Sequence, residues 1–173
     1  ACVLAGVGET GDPWALAHLP LKLAPGRYAL GKGTVPIAAA DAAFGWSLGS
    51  YRYTRYRKSS RKPADLQVEN SAKVADALGL ADAVKLVRDL VNTPAEDMGP
   101  QEVSDVVREQ ADLFGARFDE WVGDELLGQG FPAVHAVGRA AARPPRLLEL
   151  NWGNPKHPKL AIVGKGVGFD TGG

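Results

Sequence analysis

The run Gly99-Pro-Gln-Glu-Val-Ser-Asp-Val-Val-Arg-Glu-Gln-Ala-Asp-Leu-Phe-Gly-Ala-Arg-Phe-Asp-Glu-Trp-Val122 holds a helix and a strand back to back, and that succession decides the fold class. Gly99-Pro100 opens the helix, because proline's fixed φ suits the first helical position and its missing N–H forfeits no bond there. Val103, Val106, Val107, Gln110 and Phe114 are expected on the buried face. Gly115 is the expected C-terminal cap, since glycine enters the left-handed region without a Cβ clash. Arg117 to Val122 then alternates as a half-buried strand does.

Working outward, Asn92-Thr-Pro94 stops an earlier helix, because a residue before proline disfavours the helical region. That helix runs from about Asn70 to Val91, with Ala75, Leu78, Val84, Val87 and Leu90/Val91 as a broken apolar stripe and Gly79 as a weak point. Downstream, Asp124 is placed to cap a short helix through Leu127. Arg146 to Leu150 and Leu160 to Val163 read as strands on either side of the turn-rich Asn151-Trp-Gly-Asn-Pro155. Toward the N-terminus, residues 1–5 read as a short strand and Pro13 to His18 as a short helix. Gly26 to Leu30 reads as a strand, and Ile37 to Tyr56 as a helix in which Gly45 and Gly49, four apart, allow close packing. Residues 57–70 turn basic, then polar, as at a domain boundary or an edge strand. Strands alternating with helices give an α/β protein with a largely parallel or mixed sheet.

Composition sets the outer limits. The 173 residues suffice for one medium domain or two small ones, and 45% hydrophobic with 23% charged residues is ordinary for a globular chain. Formal net charge is zero, so the whole-chain field gives no reason to expect nucleic acid or an acidic substrate. A single cysteine, Cys2, excludes an internal disulfide and fits a reducing, cytoplasmic setting. No apolar run approaches the ~20 residues that span a bilayer, and the start lacks the basic region of a signal peptide. The chain begins without methionine, inside an apparent strand, which points to a truncated start.

Several motifs resolve to plain structure. Gly6-Val-Gly-Glu-Thr-Gly11 has dinucleotide-loop spacing, but after Asp12 the next acidic residue is Asp41, far beyond the ribose position. Gly26-Arg-Tyr-Ala-Leu-Gly31-Lys32 has phosphate-loop spacing, yet Gly33 stands where a magnesium-binding hydroxyl belongs. Tyr51-Arg-Tyr-Thr-Arg-Tyr-Arg-Lys-Ser-Ser-Arg-Lys62 interleaves tyrosines with cations and could meet phosphates or bases. The competing reading is a helix end whose tyrosines pack inward. His18, His135 and His157 lack metal-ligand spacing and read as structural or surface histidines.

The tail carries the chemistry. The expected strand Leu160 to Val163 runs into a glycine-rich turn bearing Lys165 and, five residues on, Asp170. A carboxylate is a hard ligand for a divalent ion, and a neighbouring lysine can polarise a carbonyl, steady an oxyanion or, with its pKa strongly depressed, bind the metal itself, so Lys165 and Asp170 are both candidate metal ligands. A solvated lysine and an Asx-type turn at Asp170 account for the same residues without chemistry. Spacing alone leaves the two readings level.

Val163-Gly-Lys-Gly-Val-Gly-Phe-Asp-Thr-Gly-Gly173 resembles the signature of the leucine aminopeptidase (cytosol aminopeptidase) family around its first metal-site lysine and aspartate. Arg88-Asp-Leu-Val-Asn-Thr-Pro94-Ala-Glu-Asp-Met-Gly-Pro100 is similar to the family's segment between two helices. Phe131-Pro-Ala-Val-His-Ala-Val-Gly-Arg-Ala140 is similar to the segment before the core strands, and Phe44-Gly-Trp-Ser-Leu-Gly-Ser-Tyr-Arg-Tyr53 to the end of the N-terminal domain. The matches fall in the family's order along most of the chain. Gly168 departs from the threonine, cysteine or serine frequent there, which loosens the turn and removes no ligand.

The resemblance implies a partial N-terminal α/β domain (residues 1–60), a linker and connecting helix (61–91), and the first part of a mixed-sheet α/β catalytic domain (92–173). It implies a two-metal exopeptidase using zinc, manganese or magnesium, which releases N-terminal residues from peptides with a free N-terminus. In that enzyme metal-activated water attacks a metal-polarised carbonyl. Lys165 corresponds to the active-site lysine beside one metal, and Asp170 to a carboxylate ligand of the pair. The assembly implied is a cytoplasmic homo-hexamer, with nucleic acid and membrane not expected as partners. The second catalytic lysine, the family's Asn-Thr-Asp-Ala-Glu-Gly-Arg segment and a further aspartate ligand are expected after Gly173. The chain is therefore expected to lack the C-terminal catalytic portion, not to bind the metal pair stably, and to be inactive alone. The alternatives are a DNA-binding module using Arg55 and Arg57, or an oligomer-assembly module.

Overall fold

A computed structural model describes residues 2–8, 12–33 and 35–168; Asp170 lies outside the described residues. The chain folds as two compact units, residues 1–92 and 93–173.

The first unit contains strand β1 (Arg27–Ala29), helix α1 (Ala39–Gly49), strand β2 (Asp65–Gln67) and helix α2 (Ala72–Asn92). β1 and β2 are parallel, with Tyr28 opposite Leu66. A parallel pair needs a crossover, and α1 lies within it. Leu16, Ala42, Trp46 and Ala64 form the core, with Leu19, Leu23, Tyr28, Ile37 and Leu66 against it. The Trp46 indole donates from Nε1 to the Ala64 carbonyl at 2.7 Å, so the largest core residue buries no idle polar atom. The expected close packing at Gly45 and Gly49 is present. A Cβ on Gly45 would stand 1.8 Å from the Pro13 carbonyl oxygen, and one on Gly49 would stand 1.8 Å from that of Ala17.

The second unit contains α3 (Pro100–Phe114), β3 (Arg117–Val122), α4 (Glu125–Gly128), α5 (Pro132–Gly138) and β4 (Arg146–Asn151). β3 and β4 are antiparallel, Arg117 opposite Asn151 and Val122 opposite Arg146. One parallel and one antiparallel pair make the described fold mixed α/β. α3 is bounded as its residues dictate. The Gly99 N–H donates to the Glu102 carboxylate at 2.9 Å, and Pro100 takes the first turn. At the other end Gly115 adopts φ 64°. The Ala116 N–H reaches the Ala111 carbonyl at 2.8 Å and the Gly115 N–H that of Asp112 at 3.4 Å, a Schellman termination.

Several expectations are corrected. α1 ends at Gly49 rather than Tyr56: the Ser50 N–H still makes the helical bond to the Trp46 carbonyl, but the next N–H, of Tyr51, reaches only the Leu48 carbonyl three residues back, at 3.3 Å. Residues 2–8 are irregular rather than a strand, and residues 13–22 form turns rather than a helix. α5 was not anticipated; Pro132 opens it. The Asp124 side chain does not cap α4: its own backbone is helical (φ −68°, ψ −21°), and the Leu126 and Leu127 N–H groups donate to the backbone carbonyls of Gly123 and Asp124. The buried face of α3 centres on Ser104 and Ala111, while Val103 and Phe114 are exposed. Leu160 to Val163 forms no strand, and Leu160, Ile162 and Val163 are 86–92% exposed. A strand exists only through a ladder with a neighbour, and no described strand pairs with this segment.

Candidate functional site

Lys165 sits in the irregular segment that follows β4. Its side chain is exposed, and among the described residues it enters no salt bridge. The segment returns toward the start of α3: a Cβ on Gly168 would lie 3.8 Å from Pro100 Cδ, an ordinary contact. A Cβ at position 168 is therefore accommodated among the described residues. Asp170 lies outside the described residues.

No group of three or more His, Cys, Asp or Glu among the described residues could hold a metal ion. Lys165 alone offers a protonated amine, which is no ordinary ligand. The described residues thus do not fit a metal pair by themselves. His135, which spacing assigned a structural or surface role, pairs through Nε2 with Asp124 at 2.9 Å.

The most organised polar cluster lies nearby in sequence and was missed by motif reading. Glu120 on β3 accepts from the wholly buried Ser104 hydroxyl at 2.6 Å and pairs with Arg108 at 2.9 Å. It also pairs with Arg146 on β4, and Arg146 reaches Gln101. Burial pushes the Glu120 carboxyl up. The hydrogen bonds from Ser104 and Arg146, with the charges of Arg146 and Arg108, outweigh it and hold the group below the usual carboxylate range. With its oxygens engaged on three sides, Glu120 ties α3 to both strands and is not free for proton transfer. A carboxylate inside a strand, with serine and arginine on the preceding helix, was the available signal. Its partner Arg146 follows by 26 residues, which no local pattern reveals.

The basic stretch after α1 is surface. Tyr51 packs back, its hydroxyl donating to Asp89 at 2.7 Å, while Arg52 and residues 54–62 are exposed. No described helix is long and apolar enough to cross a membrane.

Residues 85–173 match the description "Cytosol aminopeptidase family, catalytic domain", and residues 1–69 match "M17 aminopeptidase, N-terminal domain". The chain is 34% identical to a probable cytosol aminopeptidase of Corynebacterium diphtheriae, over 98% of this chain and 38% of that protein. A probable cytosol aminopeptidase of Micrococcus luteus is 33% identical, over 99% and 39%. Among solved structures, the cytosol aminopeptidase of Coxiella burnetii superposes with a TM-score of 0.77 at 36% identity, over 86% of this chain and 32% of that one. The bottromycin maturation enzyme BotP in complex with Mn gives 0.73 at 33% identity, over 87% and 36%. The chain thus spans less than two fifths of the length of these relatives.

Proposed function

The chain belongs to the cytosol aminopeptidase family, and on that premise we propose that it supplies Lys165 and Asp170 to a metal-dependent aminopeptidase site. The observation that carries the proposal is the match of residues 85–173 to the family's catalytic domain, which places both residues inside the matched range. The substrate class is a peptide with a free N-terminus, and the setting is cytoplasmic. Lys165 serves as a cation that steadies negative charge developing on the scissile carbonyl oxygen. Its exposure leaves the ammonium available for that task. Asp170 serves as a hard oxygen ligand for zinc, manganese or magnesium.

The 173 residues alone do not turn over peptides in this proposal. A carboxylate and a protonated lysine are too few donors to hold two divalent ions. A complete site requires ligands beyond those of the described residues, in a homo-hexameric enzyme. The direct test is hydrolysis of leucyl-p-nitroanilide by the purified chain with manganese. The expected result is no release of nitroaniline above a metal-only control. Turnover that disappears in Lys165→Ala would overturn the claim that this chain is inactive alone.

A further inference from the structure

The loop after α1 carries Arg52, Arg55, Arg57, Lys58, Arg61 and Lys62, and no acidic residue occurs between Asp41 and Asp65. In a chain of zero net charge this is a sharp segregation. Among the described residues, none of these six cations enters a salt bridge. The loop folds into a shallow concavity of about 530 Å³, walled by Arg52, Thr54, Ser60, Arg61 and Lys62 with no carboxylate.

The lining divides by what each group already does. Arg61 is pinned: its guanidinium donates to the Lys22 carbonyl at 3.3 Å and to that of Leu23. The hydroxyls of Ser50 and Ser59, also on the wall, donate to the carbonyls of Trp46 and Arg61. These bonds shape the loop. Arg52, Lys62, Thr54 and Ser60 remain, and among the described residues none of the four is engaged in a hydrogen bond. Two cations and two hydroxyls around one hollow present donors from several directions. A tetrahedral oxyanion has acceptor oxygens on several sides to meet them, whereas a carboxylate has only two. Pinned Arg61 adds positive potential without having to move.

We propose that this concavity binds a phosphate-type oxyanion, with Arg52 and Lys62 as its charged donors and Thr54 and Ser60 as its neutral ones. The site lies in the first unit and Lys165 in the second, and the proposal does not depend on the proposed peptidase activity. Its open setting makes binding salt-sensitive and modest in affinity.

The test is an amide-shift titration of the full chain with inorganic phosphate and, separately, with O-phosphoserine, each against sodium chloride at equal ionic strength. Saturable shifts at Thr54, Ser60 and Lys62 with phosphate, absent with chloride, are expected. Tighter binding of phosphoserine identifies a phosphomonoester as the source; equal or weaker binding identifies the free ion. Arg52→Gln with Lys62→Gln should weaken phosphate binding roughly tenfold or more, since two charge-assisted bonds are lost. Both side chains are exposed, so the unfolding curve should not change, and Lys159→Gln should leave affinity as it was. Shifts that follow ionic strength alone overturn the proposal, as does full affinity in the double variant. A single-stranded oligonucleotide that binds where both small phosphates fail overturns it too.

Discussion

Two glycines in two helices of the same unit should respond to the same substitution with opposite signs. Replacing a helical glycine by alanine gains about 1 kcal/mol of helix propensity when nothing else changes. Gly79 in α2 meets that condition, for an added Cβ finds nothing within 4 Å. Gly79→Ala should therefore stabilise by about 1 kcal/mol. Gly49 does not. Its added Cβ would lie 1.8 Å from the Ala17 carbonyl oxygen, 2.6 Å from its carbon and 2.9 Å from its Cα. Real Cβ contacts stay beyond 3.0 Å, so the backbones must part by at least 3.0 − 1.8 = 1.2 Å. The obstructing atoms are main chain and cannot rotate away. Overpacking of this kind costs about 3 kcal/mol, the upper part of its usual range. Set against the propensity gain, Gly49→Ala should destabilise by about 2 kcal/mol. Urea unfolding followed by tryptophan fluorescence reads both variants, with buried Trp46 reporting on this unit. If Gly49→Ala is as stable as the parent, the close approach of α1 to residues 13–17 does not exist in solution and the argument fails.

Trp46→Phe should cost about 2 kcal/mol, because the Ala64 carbonyl, buried with its residue, loses its indole donor; the same unfolding curves check it. Glu120→Gln should destabilise by about 2 kcal/mol, less than a fully buried pair because Arg108 is half exposed. The Glu120 carboxyl is held below its ordinary 4.5, so its contribution is full above that value and is lost as pH falls through the folded-state pKa. Stability measured across the acid range should fall less steeply in Glu120→Gln than in the parent. Lys165→Ala should leave unfolding within about 0.5 kcal/mol of the parent, as an exposed side chain with no ion pair among the described residues does. A larger loss would give Lys165 a structural role in place of the proposed chemical one.

The helix–strand run from Gly99 to Val122 was legible because its signals are local. Pro100 at the first turn and Gly115 in the left-handed region act within a few residues of the ends they set. β3, β4 and the close glycines of α1 were legible because strand-forming composition and the absence of a Cβ are read from the residues themselves, although neither strand is buried in alternation: Phe118 to Val122 are all half-buried, and β4 is covered only over Arg146 to Leu148. The family was legible from motifs in the order they take along the chain, and the family matches bear that out; no local rule states what surrounds a side chain such as Lys165.

What the chain by itself determined is thus the ends of α3, the close-packing glycines of α1 and the family to which it belongs. The tertiary structure decided everything that depends on a distant partner. Ser104 rather than Val103 or Phe114 faces inward on α3, and the Ser104 hydroxyl meets Glu120 from another element. Leu160 to Val163 has the composition of a strand and yet is none, since backbone donors and acceptors need a second strand and the described ones offer no pairing. Composition carries a preference for a conformation, whereas burial and hydrogen-bond pairing belong to whichever remote residues the fold brings alongside.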